Sequence, residues 1–561
     1  MTTGLTLSLD ECLSTFLVNP RPYQRDSIKE LVNGLAKGND VATCLPTGTG
    51  KTYVYLPAAI VAANHGHRVC IIVATNLIID QLERKYLPNF KVKTKPHVVK
   101  GIEHYDCLLT GNKADYGTCN KKQKSECSKE RPECTVLNIT KEFEEYPFIL
   151  TNFHKFLSTP TERGFDLIII DDSHGFENAL DDKFQNRLAY YQINDLFKRH
   201  ELKNDAIADF TGFFLDYFDD ALRAIPPDQL NRRMPDDVIK GIAEIEGFDQ
   251  LQNQLKNIDE ADRDIVFDML YFANCCKNTS YNTFYIQKDY YNQNDPQEAA
   301  LIARKSDSFQ NNVVKKLFGK SKVVFASATP GDIITHASYC THRKYTDDSI
   351  SIIPKSVPPQ VENWFNGLQI LETRDFPKDS SDSIEKSAEI AAEILKRGKG
   401  KTLLLFKSYR DQRKAENTLK KIVTREITFI DDSYQTEKVQ QCVEKADIIM
   451  ATASSRLWEG IDISDLKLEI IFSLPFIRPP VHLEPRDSFP FVRRKMLIRL
   501  QQGIGRLIRK ENDTGVCIIL DNRLEKYKKS AHFSEAYRKR IIALNIEDLL
   551  SEFEKAQRGN N

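Results

Sequence analysis

At 561 residues the chain is too long for one hydrophobic core, and about three to four domains are expected. Its 79 basic and 79 acidic residues cancel, which excludes a chain-wide basic field, so any nucleic-acid contact must use local grooves. No run of eighteen apolar residues and no basic-then-apolar start is present, so neither a membrane span nor a secretory leader is expected, and the twelve cysteines of a cytoplasmic protein are not expected to form disulfides.

In chain order, Arg21-Pro22-Tyr23-Gln24 opens a helix running to about Ala36. Tyr23 and Gln24, ahead of a phosphate loop, are candidates for holding an adenine, with Gln24 reading its edge. Val41 to Leu45 reads as a buried strand and Tyr53 to Ala63 as a helix in which Pro57 is a kink point. Between them lies Pro46-Thr47-Gly48-Thr49-Gly50-Lys51-Thr52. The glycines let backbone N–H groups turn inward, and the helix N-terminus adds its positive end. Lys51 is suited to the β- and γ-phosphates of ATP and Thr52 to Mg²⁺. The general pattern has Gly at position 45, where this chain has Leu45. Arg68 to Ala74 is the next buried strand, ending in Thr75-Asn76. Those two residues are either helix caps or a grip on a nucleic-acid backbone.

From Cys107 to Cys134 the chain turns polar and carries Cys107, Cys119, Cys127 and Cys134, with gaps of eleven, seven and six residues. Such a segment cannot build its own core and needs a cross-link. Structural zinc usually uses tight C-x₂₋₄-C pairs, which are missing here. The wider spacing favours a four-thiolate iron–sulfur cluster over zinc, with scattered free thiols behind both. Cys44, Cys70 and Cys517 sit in apolar runs and read as core residues.

Phe148 to Leu150 and Leu167 to Ile170 return to buried strands. The second ends in Asp171-Asp172-Ser173-His174. Downstream of a phosphate loop, Asp171 is placed to bind Mg²⁺ through water and Asp172 to orient or deprotonate the attacking water. Residues 177–315 read as mostly helical, with helical apolar spacing over Ala206 to Ile225, Asp237 to Ile258 and Glu260 to Cys276, and a short hairpin over Ser280 to Tyr291. Lys322 to Ala326 is a strand closing in Ser327-Ala328-Thr329.

Pro354 to Pro359 marks an inter-domain boundary, after which a second α/β pattern begins. Its strands are Lys401 to Phe406, Asp447 to Ala451, Ile470 to Leu474 and Gly515 to Leu520. A helix is expected to hold Gln501-Gln502-Gly503-Ile504-Gly505-Arg506-Leu507-Ile508-Arg509, with Arg506 and Arg509 on one face, suited to a γ-phosphate across a cleft. Glycines in a helix signal that something approaches closely.

In this order the motifs resemble the iron–sulfur branch of superfamily 2 helicases, the XPD/DinG-like family. The resemblance covers nearly the whole chain. It rests on Arg21-x-Tyr23-Gln24, the Pro46–Thr52 loop, the Cys107–Cys134 insertion, Asp171–His174, Ser327–Thr329, Leu457-Trp458-Glu459-Gly460-Ile461-Asp462 and Gln502-x-x-Gly505-Arg506-x-x-Arg509. It implies an α/β fold of two RecA-like parallel-sheet motor domains, with a small cysteine-ligated cluster domain and a helical arch domain inserted in the first. The expected division is motor 1 over 1–102, 137–176 and 316–350, the cluster domain over 103–136, the arch over 177–315 and motor 2 over 351–561. ATP would be clamped between Lys51 and Asp171 on one side and Arg506 and Arg509 on the other, with Gln502, Gly460 and Asp462 in the same cleft.

The cofactors implied are ATP, Mg²⁺ and a 4Fe-4S cluster on Cys107, Cys119, Cys127 and Cys134. The activity implied is ATP-driven 5′→3′ translocation on single-stranded DNA and unwinding of tailed duplex, by a cytoplasmic, nucleoid- or DNA-associated protein without membrane contact. Protein partners, if any, would dock on the arch. Asp172 and Ser173 depart from the family's Asp-Glu-Ala-His box, the cysteine spacing leaves the cluster type resting on the resemblance, and no exonuclease-like domain is expected ahead of the motor. A carboxylate one methylene shorter keeps open a nucleotide-gated single-strand clamp with little hydrolysis. An RNA or hybrid remodeller is a third reading, since backbone-gripping motors read phosphates and stack bases.

Overall fold

The computed structural model describes residues 5–559 except 6, 109–113, 115–126, 128–132, 160, 204, 227–228, 256–257, 289–298, 330, 376–382, 431–435, 453–457, 459–462 and 484. The first sheet holds β1 (Asp40–Thr43), β2 (Val69–Val73), β3 (His97–Val99), β4 (Phe148–Asn152) and β5 (Leu167–Asp171), joined by two strands from beyond the insertion. The insertion itself contributes β6 (Gln185–Ala189), β7 (Asn231–Arg233), β8 (Asn282–Gln287) and β9 (Ala300–Lys305). The chain then returns with β10 (Lys322–Ala326) and β11 (Ile350–Ile353), giving a seven-stranded order β11-β1-β10-β5-β2-β4-β3. All its pairs are parallel.

These strands read as unbroken apolar runs because both faces are covered. Val41, Ile71, Ile169 and Val324 pack on one side and Ala42, Ile72, Ile170 and Phe325 on the other. The alternation within each run divides one strand between two cores. The second sheet repeats the plan with β12 (Leu368–Thr373), β13 (Lys401–Phe406), β14 (Ile427–Phe429), β15 (Ile448–Thr452), β16 (Leu466–Ile471), β17 (Gly515–Ile519) and β18 (Ile541–Leu544). Its order is β14-β15-β13-β16-β17-β12-β18, again parallel throughout. Its faces are filled by clusters around Trp458 and Leu403 on one side and Phe406 and Ile470 on the other.

Several expectations need correction. The insertion is mostly helical, as expected, but it also holds a sheet that was not expected: β6, β9, β8 and β7 form a four-stranded antiparallel sheet against its helices. Of the hairpin expected over Ser280 to Tyr291, Asn282–Gln287 is β8, a central strand of that sheet whose side chains mostly alternate in burial, and residues 289–291 lie outside the described residues. The expected helix over Asp237 to Ile258 is two helices, Asp236–Ala243, which ends at Glu244, and Phe248–Gln254, which starts from Gly247 at a φ of 79°. The strand expected over Ile470 to Leu474 is β16, shifted toward the N-terminus. β11 carries the first sheet past residue 350, since Ile350–Ile353 pairs with β1. Among the described residues, no helix is long and apolar enough to cross a membrane.

Candidate functional site

The sheet order sets three strand tips side by side. β10 lies between β1 and β5, so the phosphate loop after β1, Ser327 after β10 and Asp171 at the end of β5 form one row. Ligands of open parallel sheets bind at these carboxyl ends. The Ser327 N–H donates to Thr43 O at 3.0 Å, and Ala326 stands opposite Asp171 in register.

The loop is held open as a nest of backbone N–H groups. Gly48 and Gly50 have φ of 78° and 79°, and Gly50 caps the helix Lys51–Asn64 with no side-chain acceptor on its first N–H groups. That geometry fits the phosphates of a nucleotide. A cleft of about 550 Å³ lies over it, lined by Thr47 to Thr52, Gln24, Asp171 and Asp172. Tyr23 does not line the cleft. Its hydroxyl and the Gln24 amide both donate to Thr49 O, at 3.1 and 2.8 Å, and Gln24 Oε1 accepts from the Arg21 N–H at 2.9 Å. One N–H and one lone pair of the Gln24 amide thus brace the loop, and Gln24 also lines the cleft.

Asp171 is buried. Its Oδ2 accepts from Tyr55 Oη at 2.8 Å and its Oδ1 from the Asp172 N–H at 3.1 Å. Burial, then the neighbouring Asp172, push its carboxyl up to about 7, and Lys51 opposes them. Asp172 sits at φ 47°, ψ 47°, a left-handed conformation that aspartate tolerates better than most residues. His174 Nδ1 lies 3.1 Å from Ser327 Oγ, linking the acidic box to the Ser-Ala-Thr tip.

The second unit closes on this loop. Thr47 Oγ1 donates to Gly505 O at 3.4 Å, and a Cβ at Gly505 would sit 3.0 Å from Thr47 Oγ1. The expected helix face is corrected here: the helix Pro485–Ile504 ends before both arginines, because glycines at 503 and 505 weaken it and the chain must pass tight against the loop. Arg506 and Arg509 therefore lie in the segment after the helix. The Arg506 Nε and Nη2 donate to Trp458 O at 3.2 and 3.0 Å. Burial lowers the Arg509 guanidinium to about 10, with Asp513 partly offsetting it. Neither arginine, nor Gln502, lines the cleft, while the backbone of Arg509 stands against Gly48.

Gly460 and Asp462 lie outside the described residues, as does Cys119. Cys107 is half-buried and Cys134 buried, both against the same apolar cluster as Ile102. Cys127 is half-buried. Cys70 and Cys517 are buried core residues and Cys44 is half-buried. Asn76 is no simple cap: its side chain is bonded by Asn152 Nδ2 at 2.8 Å and lies against His104 Nε2, tying the tips of β2 and β4.

A model of the helicase C-terminal domain matches residues 391–540, and one of the type III restriction enzyme res subunit matches residues 17–215. The ATP-dependent DNA helicase YoaA of Escherichia coli (strain K12) is 23% identical, covering 90% of this chain and 92% of its own. A probable ATP-dependent helicase, MJ0942 of Methanocaldococcus jannaschii, is 24% identical over 85% and 88% of the two chains. The ATP-dependent helicase DinG of Mycobacterium tuberculosis (strain H37Rv) is 32% identical over 161 residues, 26% of this chain and 24% of its own. In fold, a solved XPD helicase superposes with a TM-score of 0.64 at 16% identity, covering 94% of this chain and all of that one. These likenesses together support a helicase similar to the XPD/DinG-like group of superfamily 2. It is an ATP-hydrolysing enzyme of the helicase class.

Sequence reasoning about this helicase missed the charges between its two sheets. Glu177, at an apolar register beside Phe176, is 1% exposed and paired with Arg494 and Lys495. Arg494 and Lys495 belong to a basic run that reads as a solvated face. The available signal was charge at positions where helical spacing demands core. Glu469 was missed as well, a charge within an apolar strand. It is buried on β16 with neither oxygen bonded, and lies 2.9 Å from where a Cβ on Gly503 would stand.

Proposed function

We propose that this chain is an ATP-driven 5′→3′ helicase that translocates on single-stranded DNA and opens tailed duplex. The observation that carries the reading is the apposition of Gly505 and Arg509 on the phosphate loop, which puts hydrolysis at a joint between two parallel-sheet units. Separating strands costs about 1.4 kcal/mol per base-pair step, more than single-strand binding can offset over many steps, so sustained opening needs such a coupled motor. The relatives named above as helicases support this class, YoaA being named for DNA, and polarity rests on the sequence resemblance.

In this reading the phosphates sit on Gly48 to Thr52, with Lys51 neutralising them. Thr52 and Asp171 hold Mg²⁺, which when bound polarises the terminal phosphate. Asp172 orients the attacking water. Arg506 and Arg509 turn toward the γ-phosphate from the second unit, with Gln502, Gly460 and Asp462 beside them. Pro46 and Thr47 shape the loop, and Tyr23 and Gln24 act on nucleotide through Thr49. Cys107, Cys119, Cys127 and Cys134 would hold a 4Fe-4S cluster.

The test is unwinding of a duplex with a single 5′ tail, beside a 3′-tailed duplex and a Lys51→Ala variant, with ATP and Mg²⁺. Opening of the 5′-tailed substrate alone, lost in Lys51→Ala, is expected. If neither opens while single strands bind in a nucleotide-dependent way, the motor reading fails and a clamp replaces it. Stronger stimulation of hydrolysis by RNA than by DNA would move the substrate to RNA. Iron content with visible absorbance tests the cluster; zinc alone would refute it.

A further inference from the structure

Behind the acidic box lies a charge cluster that joins the two sheets. Glu177 stands on the helix Phe176–Phe184, which follows the box directly. Its Oε1 accepts from Arg494 Nη1 at 3.0 Å, and its Oε2 from Arg494 Nη2 at 2.8 Å and Lys495 Nζ at 2.6 Å. His336 Nδ1, from the helix Ile333–Thr341 after the Ser-Ala-Thr tip, meets the same Oε1. Glu177, Arg494, Lys495 and His336 are 1%, 4%, 5% and 0% exposed. Burial would raise the Glu177 carboxyl, but Lys495, His336 and Arg494 together hold it well below the usual range.

The cluster resembles a metal site only in part. Glu177, His336 and Cys340 bring ligand atoms within 4.8 Å of one another. Two cations already occupy the carboxylate, however, so a divalent ion would meet their charge. Burial also holds the Cys340 thiol well above its ordinary range, away from the thiolate that binds metal. The chemistry is that of a bidentate ion pair, not of a coordination shell.

One contact carries the cluster into the acidic box. His336 Nε2 lies 3.0 Å from Ser173 Oγ, and Ser173 is fully buried between Asp172 and His174. A carboxylate only accepts, so Nδ1 of His336 carries a proton. In the neutral ring Nε2 then accepts from the Ser173 hydroxyl. An alanine at 173 could make no such bond, so the departure from the family's box supplies a link rather than a loss.

On the other side, Arg494 and Lys495 stand on the helix Pro485–Ile504, whose end leads into Gly505 against Thr47. At 1.5 Å per residue, about 15 Å of rigid helix joins the Glu177 contact to the phosphate-loop contact. One strut thus meets the helix behind the acidic box along its length and leads at its end to the phosphate loop.

We propose that Glu177 is a positioning residue that locks this strut to the acidic box, with His336 and Ser173 relaying the second unit's position to Asp171 and Asp172. This rests on the helicase reading above, whose motion between units the lock would regulate. Two measurements separate the failures. In strand-stimulated ATP hydrolysis, Lys495→Met is expected to lower kcat about tenfold or more with KM for ATP within about twofold, and Lys495→Arg to restore it. Ser173→Ala is expected to lower kcat with an unchanged melting temperature. Combining Glu177→Gln with Lys495→Met is expected to cost no more than the worse single change.

The second measurement needs no helicase activity. A donor–acceptor dye pair at exposed positions 37 and 399 reports the distance between units. Glu177→Gln is expected to broaden or open that distribution in the full chain. An unchanged distribution overturns the lock whatever the ATPase does. So does additive loss in the combined variant, or normal stimulation in both Ser173→Ala and Lys495→Met. If the unaltered chain is not stimulated by any strand, the helicase reading fails, and the distance measurement alone decides the lock.

Discussion

A methyl group added at Gly48 would run into the backbone of Arg509, standing 2.7 Å from its Cα, at a φ of 78° that alanine rarely adopts. The left-handed backbone alone costs about 1–2 kcal/mol. The clash acts between units, so Gly48→Ala is expected to hold them apart. Because misplacement of about 1 Å can cost a hundredfold, kcat/KM for ATP should fall by about that factor or more, while circular dichroism stays unchanged. A variant hydrolysing ATP normally would show that the loop and Arg509 need not meet. Glu469 makes a different residue-scale prediction. Burial pushes its carboxyl from 4.5 to about 8, with Arg506 only partly opposing. The folded state therefore keeps a proton that the unfolded chain has released, and stability present below about pH 4.5 is lost as pH rises toward 8. The slope has a ceiling of about 1.4 kcal/mol per pH unit. Glu469→Gln mimics the protonated form, so its melting temperature should exceed that of the unaltered chain by an amount growing from pH 5 to pH 8. A constant difference would mean the carboxyl is not kept neutral. Neither residue's partner was legible in the sequence. The glycine of the phosphate loop reads as a turn requirement, and only the docked second unit explains what presses on it.

At the scale of elements, strand–loop–helix at the phosphate loop was readable because local chemistry specifies it. An apolar run, two glycines at positive φ and an uncapped helix start are adjacent in sequence. The acidic box was readable for the same reason, as polar residues at the tip of Leu167–Asp171. The second-unit arginines were only half readable. Glycines at 503 and 505 mark close approaches, of Glu469 to the first and Thr47 to the second, but they also end the helix at Ile504 and so remove the shared face. The sheet of the insertion was hidden because its pairings are long-range. Gln185 to Ala189 carries no alternation of its own and pairs with Ala300 to Lys305, more than a hundred residues on. Helical spacing before and after residues 244–247 concealed a break that ends at the left-handed Gly247. Tyr55 illustrates the reverse problem. It sits in an apolar helix stretch and reads as core, yet its hydroxyl orients Asp171.

In the whole molecule, the two sheets were legible as repeated apolar runs separated by Pro354 to Pro359, and the resemblance implied that they face each other across ATP, but the buried charges that join them were not legible. Glu177 and Arg494 are 317 positions apart, and no local pattern links them. The insertion bridges the units as well: Gln287 Nε2 donates to Pro479 O at 3.2 Å, and Val481 packs on Ala300 and Ile302. These contacts differ in how they meet dissolved ions. Counter-ions at 0.15 M screen exposed charges over about 8 Å but act weakly on a pair sealed from water. Phosphate contacts to a nucleic acid, by contrast, weaken steeply as salt rises. A salt titration should therefore release a bound strand while the dye pair still reports docked units. Loss of both at one salt concentration would mean that the strand, not the Glu177 cluster, holds the units together. A seam closed by buried charge predicts a protein whose hold on a nucleic acid is tuned by ionic strength while its own frame stays indifferent to it.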